Sequence, residues 1–528
     1  MFFKRKKIEK EVRLGKLFLE STNNRSYLIY LSSKLSKTNH NAEGSHFGIS
    51  DQLMQLALKQ FFIQRFLFTT LNISVLRALG RNDKLIRCTL PPNLRKRLHE
   101  EEGFKSSEII NKFSWLRILF YWYIRGIYSI VEHFFFLIKG EMPDSKSNYI
   151  FFSALSSKNF PNNFKNSKTI INWVLNKEKF KNLNQIYHDA KIGKTIFLDS
   201  YSINECSLPF YVNPSAKNIL NYVISSIKIC FISFFKMLLG NYSYALLLSE
   251  YPKLYLSKNT GEVNFARNYY FHNSTSILRP LWTYQAENKG SSIILYFYSA
   301  HIYTFKSPKG KYYNELYNYR YLSWPKYYVW HDYHKKYLVS LLGEDQKNKF
   351  EIVGPVWFES SNSFDLPKIA RGEKIISIFD INVYNSVHFL SLGHPNDYFT
   401  SETLLKFHND IIEVIGKCKN TIGILKNKRA KSKFDSKSYN LKLETLYKKN
   451  RSVLKTDASL DAHSLIENSV ASINIPFTST AHVANYLGIP SVYYDPVQQI
   501  QPDDRGLSGI PLIQDKEDLA LWLNSVIK

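Results

Sequence analysis

The hydrophobic and polar positions change rhythm once along the chain. Up to about residue 145, apolar and basic residues are mixed at helical spacing, and Gly140-Glu-Met-Pro143-Asp-Ser-Lys-Ser then reads as a linker. Beyond it, short apolar runs alternate with helical segments. Residues 149–155 predict a strand, 169–175 a helix and 195–198 a strand ending at Asp199. The run SIILYFY at 292–298 is β-branched and aromatic and predicts a strong strand. Residues 327–330 predict another, followed by a short helix over 332–342. A further strand over 350–355 stops at Gly354-Pro355.

A second series of the same kind follows. KIISIF at 374–379 predicts a buried strand ending at Asp380, and 403–415 an amphipathic helix. Strands are expected at 421–425, 470–475 and 491–494, the last running into Asp495-Pro496. Helices are expected at 480–487, stopped by Gly488, and at 515–526. This alternation implies βα units and parallel sheets, with no repeat at solenoid or propeller spacing. The expected α/β organisation is a mostly helical extension over 1–145 and two Rossmann-like domains, 146–350 and 351–528, facing a cleft.

Two apolar stretches complicate the picture. Residues 115–139 are long enough to span a bilayer, but Arg117, Arg125 and Glu132 interrupt them. With Lys139, these fall within an arc of about 80° at 100° per residue. Residues 216–239 repeat the pattern, with Lys217, Asn221, Ser225, Lys228 and Lys236 on one side. Three arrangements satisfy it: a helix packed in the protein, a helix lying in an anionic membrane interface, or a spanning helix that accepts the cost of central charge.

Composition narrows the class. Of 528 residues, 44% are hydrophobic and 15% aromatic, which excludes global disorder. Lys and Arg exceed Asp and Glu by 70 − 44 = 26, which favours anionic partners, although a Lys- and Asn-rich composition gives the same surplus without function. Cys88, Cys206, Cys230 and Cys418 form no CxxC pair, against a disulfide scaffold or a Cys-based zinc site. No apolar core follows the basic start MFFKRKK, so a cytoplasmic protein is expected. The histidines do not fall at ligand spacing beside carboxylates, and HExxH, Walker A and GxSxG are absent, so no metal and no resident cofactor are expected. The basic-aromatic run 309–328 stands without a nucleic-acid module, so no nucleic-acid partner is expected.

The sharpest local signal is Ile475-Pro476-Phe477-Thr478-Ser479-Thr480-Ala481. A strand breaks at Pro476 and a helix starts within a few residues, with three hydroxyl side chains at its N-terminus. Free backbone N–H groups, the positive helix end and the hydroxyls make an anion site suited to phosphate, or an ordinary capped helix.

This segment resembles the bacterial polysaccharide-biosynthesis proteins named for their PFTS motif, a glycosyltransferase-like group. The matching stretches are IPFTSTA at 475–481, GIPSVYYDP at 488–496, IVGPVWF at 352–358, PLWT at 280–283, ENKG at 287–290 and IFD at 378–380. The resemblance covers roughly residues 150 to 500. It implies a GT-B arrangement and a transfer from a nucleotide-sugar to a polysaccharide or lipid-linked acceptor, without a metal. The alternatives are a sugar-nucleotide epimerase or a non-catalytic assembly protein. Under this resemblance Thr478, Ser479 and Thr480 become donor-phosphate candidates. Lys426, Lys428 and Arg429 either add charge to the same cleft or form a solvated basic loop. His394 and Asp495 are weaker donor-nucleotide candidates, Asp495 serving equally as a turn cap. For a general base on the acceptor hydroxyl, Glu287 comes first, then His331 and Asp332.

Overall fold

The computed structural model describes residues 21–527 except 41, 82, 87–88, 145–147, 157–158, 161–168, 181–182, 194, 199–200, 274–277, 301–304, 307–309, 311, 313–318, 357–371, 384–397, 428–434 and 459. The predicted Asp199 and the 357–358 end of the IVGPVWF stretch lie outside these residues.

The apolar runs assemble into two sheets. The first comprises β1 (Tyr149–Phe152), β2 (Gln185–His188), β3 (Ile196–Leu198), β4 (Tyr201–Glu205), β5 (Asn268–His272), β6 (Ser292–Tyr296), β7 (Lys326–Val329) and β8 (Phe350–Ile352). Their order is β3-β4-β2-β1-β5-β6-β7-β8, parallel throughout except for β3 against β4. The second comprises β9 (Lys374–Phe379), β10 (Thr421–Lys426), β11 (Val453–Thr456), β12 (Ala471–Asn474), β13 (Ser491–Tyr494) and β14 (Leu512–Ile513). It is parallel throughout, in the order β11-β10-β9-β12-β13-β14. Every residue of β10 and β12 is buried, as strands covered on both faces require.

In each sheet the order of the parallel strands reverses at the centre, between β1 and β5 and between β9 and β12. The crevice beyond the strand C-termini at such a switch point is where open α/β sheets hold ligands. The molecule therefore has two such crevices.

The helices are α1 (Ser21–Ser36), α2 (Asp51–Phe62), α3 (Asn72–Arg81), α4 (Pro92–Glu102), α5 (Glu108–Lys139), α6 (Ile170–Glu178), α7 (Ala216–Leu238), α8 (Ser243–Leu247), α9 (Tyr251–Lys258), α10 (Trp282–Asn288), α11 (Asp332–Leu342), α12 (Ser401–Gly416), α13 (Lys437–Lys449), α14 (Ala462–Glu467), α15 (Ser479–Tyr486) and α16 (Lys516–Ile527). A π-helical stretch, Ile63–Leu71, joins α2 to α3. Helices α2, α5 and α7 share one apolar core with Tyr149, Phe151, Tyr269 and Phe271 on one face of the first sheet. Ile150, Phe152, Tyr270 and Ile294 on the other face pack with residues of α6. The predicted strand at 149–155 stops at Phe152, because Ala154 turns to φ +59 and gives its N–H to the Asp189 carboxylate.

The two long apolar stretches are an antiparallel helix pair packed into the protein along one face each. Tyr222 donates its hydroxyl to the Ile130 carbonyl (2.8 Å) and Tyr123 to the Cys230 carbonyl (3.1 Å), while Phe234 meets Phe120 and Tyr123. Gly126 lets α5 approach the next layer closely: a Cβ there would lie 2.5 Å from Leu248 Cβ.

Candidate functional site

At the switch point of the second sheet, β12 ends at Asn474 and the chain turns through Pro476-Phe477 into α15. Phe477 takes φ +68, an unusual conformation for a large residue, and its ring packs against Phe305 from the first sheet's side (centroids 4.9 Å apart). The N-cap residue Thr478 makes no side-chain cap bond, so the first N–H groups of α15 are not taken by its side chain. The three hydroxyls are not equivalent. Thr478 donates to the Ile475 carbonyl (2.9 Å), and Thr480 donates to the Asn474 carboxamide oxygen (2.7 Å). Each has spent its single proton inside the protein. Ser479 instead accepts the Ala300 N–H (3.2 Å), which leaves its own proton for a ligand. Of the three phosphate candidates, Ser479 alone keeps a hydroxyl donor.

Ala300 follows β6, so that bond spans from one sheet to the other. Lys306 N–H to Asp504 Oδ2 (2.6 Å) and Arg505 N–H to the Tyr312 hydroxyl (3.0 Å) do the same nearby. The Arg505 guanidinium also lies over the Tyr312 ring (4.1 Å). Gly354, at φ +79 after β8, lets the chain pass Tyr486 of α15, whose ring a Cβ would meet at 2.9 Å.

His331 faces α15 from the first sheet. It follows β7 and caps α11, its Nδ1 accepting the His334 N–H (3.2 Å). Its ring lies against that of His482, one turn along α15 from Ser479, with centroids 4.5 Å apart and planes tilted by 33°. Burial pushes the His331 imidazole down to about 4 and that of His482 to about 3, so both are neutral near pH 7. The neutral tautomers follow from their bonds. Because His331 Nδ1 accepts, its proton sits on Nε2, which is buried without a partner. Tyr493 gives its hydroxyl proton to the Thr478 carbonyl (2.9 Å), so its 3.3 Å contact with His482 makes the His482 Nε2–H the donor. His331 thus keeps a buried, unpaired Nε2–H donor while its Nδ1 is already accepting, so neither nitrogen is placed to act as a base. His482 had no short-range sequence signal beyond its i+3 spacing from Ser479.

The other candidates fall elsewhere. Glu287 lies near the end of α10, which leads back to the start of β6, whereas Ala300 lies beyond that strand's end. Its carboxylate is paired with the buried Arg279, so it is a structural ion pair at the wrong edge for a base. Asp332 is exposed and paired with Lys336 at 2.5 Å. Asp495 is fully buried and accepts from the Tyr398 hydroxyl, Val497 N–H, Ile500 N–H and the Gln514 amide at 2.8–3.2 Å; it holds a turn and has no room for a ribose. Lys426, at the end of β10, is buried and donates to the Asn427 and Ala458 carbonyls. Lys428, Arg429 and His394 lie outside the described residues.

The sequence profile of the polysaccharide biosynthesis PFTS motif proteins matches residues 229–523. No curated protein matches the chain. Among solved structures, HepE of Anabaena in complex with UDP-glucose aligns at TM-score 0.36 and 11% identity, over 72% of this chain and 90% of that one. The lipopolysaccharide outer core galactosyltransferase WaaB aligns at 0.32 and 12% identity, over 72% and 90%. The UDP-GlcNAc 2-epimerase of Methanocaldococcus jannaschii, in complex with UDP-GlcNAc and UDP, aligns at 0.34 and 11%, over 72% and 93%.

Proposed function

The chain belongs to the polysaccharide biosynthesis PFTS motif family, and from that premise we propose that it transfers a sugar from a nucleotide-sugar donor to a surface polysaccharide or lipid-linked acceptor. The observation that carries this reading is that two unspent donors come from the two sheets where His331 meets α15. On one side are the Ser479 hydroxyl and the α15 N-terminus; on the other is the partnerless Nε2–H of His331.

Glycosyl transfer breaks the bond between the sugar's anomeric carbon and the donor phosphate, and negative charge grows on the leaving diphosphate. Donors fixed in place before the reaction stabilise that charge without reorganising, in the way an oxyanion hole does. The positive end of α15 adds to this. In this reading the chain needs no metal and no cofactor beyond the donor itself. The bound diphosphate raises the His331 imidazole from its free value, since an adjacent anion favours the charged ring. His331 then becomes better able to pass a proton to the departing phosphate. The protein works in the cytoplasm, against the inner face of the plasma membrane, where lipid-linked acceptors are made.

A nucleotide-sugar panel tests the reading. One member should raise the melting temperature, and free nucleotide should be released only when acceptor is present. Release without acceptor, together with interconversion of the sugar, would identify an epimerase instead. No nucleotide binding at all would leave the assembly-protein alternative.

A further inference from the structure

The switch point of the first sheet holds a cavity of about 440 Å³. It lies beyond the ends of β1, β2 and β5, bounded by Ser153, Asp189 and Phe271, and is walled by α5 and the π-helical stretch. Strand β1 is two steps from β6, about 10 Å at ordinary strand spacing, so this cavity and the cleft at Ala300 share one edge of the sheet.

Its lining carries charge of both signs. Arg65 and Arg125 flank Trp122, their guanidinium carbons 5.8 and 5.5 Å from its ring centre. Lys253, Glu132 and Glu250 complete the wall. Among the described residues, no ion pair within 4 Å joins these cations to the carboxylates of the cavity. Asp189 is occupied by the Ser153 hydroxyl and the Ala154 N–H. His133 is 5% exposed, lines the cavity, and has its Nδ1 on the Ser129 carbonyl, yet its Nε2 is buried without a partner. A buried polar atom left unpaired costs free energy that a ligand would recover.

The cavity's outer wall is also the edge of an apolar surface. Tyr128 lines the cavity and is 67% exposed. Beside it on α5 stand the exposed Ile124, Val131 and Phe135, and on the adjoining α7 the exposed Ile224, Ile227 and Phe231. The inward side of α7 carries Ser226 and Ser233 beside Tyr222, Ile229 and Met237, while large apolar residues also stand outward, unlike an ordinary amphipathic helix in water. Exposed Arg117, Lys217 and Lys228 stand among these apolar residues. An apolar face of this extent, ringed by cations, matches an anionic lipid leaflet.

We propose that the cavity binds the head of a lipid-borne sugar phosphate, with the hydrocarbon lying along the outer faces of α5 and α7. Arg65, Arg125 and Lys253 take the phosphate, Trp122 holds the two guanidinium groups in place, and Glu132 and Glu250 meet the sugar hydroxyls. The inference names the acceptor of the proposed transfer and rests on that reading only for its purpose.

The full chain is titrated with decyl glucosyl phosphate, glucose 1-phosphate and decyl glucoside, and separately with the donor nucleotide. Decyl glucosyl phosphate should bind at least about tenfold more tightly than either partial probe. Arg65→Gln with Arg125→Gln should weaken it about ten- to hundredfold while nucleotide affinity stays. Ile124→Ser with Val131→Ser, both on exposed positions, should weaken the alkylated probes alone. Should the double arginine variant misfold, Lys253→Gln gives the same reading. Undiminished binding by the folded arginine or lysine variant overturns the inference, as does equal affinity for glucose 1-phosphate. A chain that binds the amphiphile yet fails with every nucleotide-sugar keeps this inference and loses the transferase reading.

Discussion

Ser479 and Thr480 are adjacent and chemically alike, yet the structure gives them different tasks. Thr480 holds the end of β12 through Asn474, whereas Ser479 accepts from Ala300 and keeps its proton. Thr480→Val should therefore destabilise the fold by about 1–3 kcal/mol, because Asn474 is left buried with an unmet acceptor. Ser479→Ala should lower the melting temperature modestly, because the buried Ala300 N–H loses its acceptor, and should also weaken nucleotide affinity about tenfold, which Thr480→Val should not. Thermal denaturation and nucleotide titration on both variants separate the two roles. The sequence shows three hydroxyls at a helix start but not which protons are already spent. That depends on Asn474 and on Ala300, which lies far away in the chain.

The same limit applies to the histidines. His331 is visible in the sequence as a polar residue after a strand, but its partner His482 comes from the other sheet and no spacing rule joins them. Burial holds the free His331 imidazole near 4, so it is neutral from above pH 5 upward. The pH profile of kcat/KM should accordingly show no histidine limb near 6.5. A limb there that disappears in His331→Asn would contradict the neutral donor.

At the scale of elements, the β-branched and aromatic runs declare themselves. The strands at 292–296, 374–379 and 491–494 lie where apolar continuity predicts them. Strands β2 (QIYH) and β5 (NYYFH) do not, because Tyr, Asn and His read as polar until the sheet buries them on both faces. Helix α13 is missed for the opposite reason: its Lys- and Asn-rich sequence hides the spaced Tyr439, Leu443 and Tyr447 that anchor it. Glu287 is misjudged because its place is set by the direction of α10, which carries it away from the cleft.

Helices α5 and α7 make the element-scale predictions. Gly126→Ala puts a Cβ into Leu248, whose side chain belongs to the same core, and should cost about 1–3 kcal/mol, read by denaturant melting. Their outward faces predict flotation with phosphatidylglycerol vesicles at low salt and weaker flotation with phosphatidylcholine. Arg117→Glu with Lys228→Glu should reduce it, since each basic residue near an anionic surface contributes about 1 kcal/mol. Equal flotation with both vesicle types would show that charge plays no part.

On the scale of the whole molecule, an eight-stranded and a six-stranded sheet each present a switch-point crevice. One is lined by the α15 N-terminus, His331 and Ser479, the other by cations, carboxylates and an aromatic platform at the edge of an apolar face. In the proposed transfer the former holds the donor and the latter the acceptor. The alternation of strands and helices foretells two such sheets; the meeting of His331 with α15 emerges only from the fold. The most direct test measures turnover and donor affinity on the same samples of wild type, His331→Asn and His331→Leu, once the panel has supplied the donor. Leucine removes the donor hydrogen bond, and turnover should fall about 10²–10³-fold with donor affinity nearly kept; asparagine, which keeps an N–H and caps the helix, should recover part of it. Wild-type turnover in a folded His331→Leu protein would contradict the account.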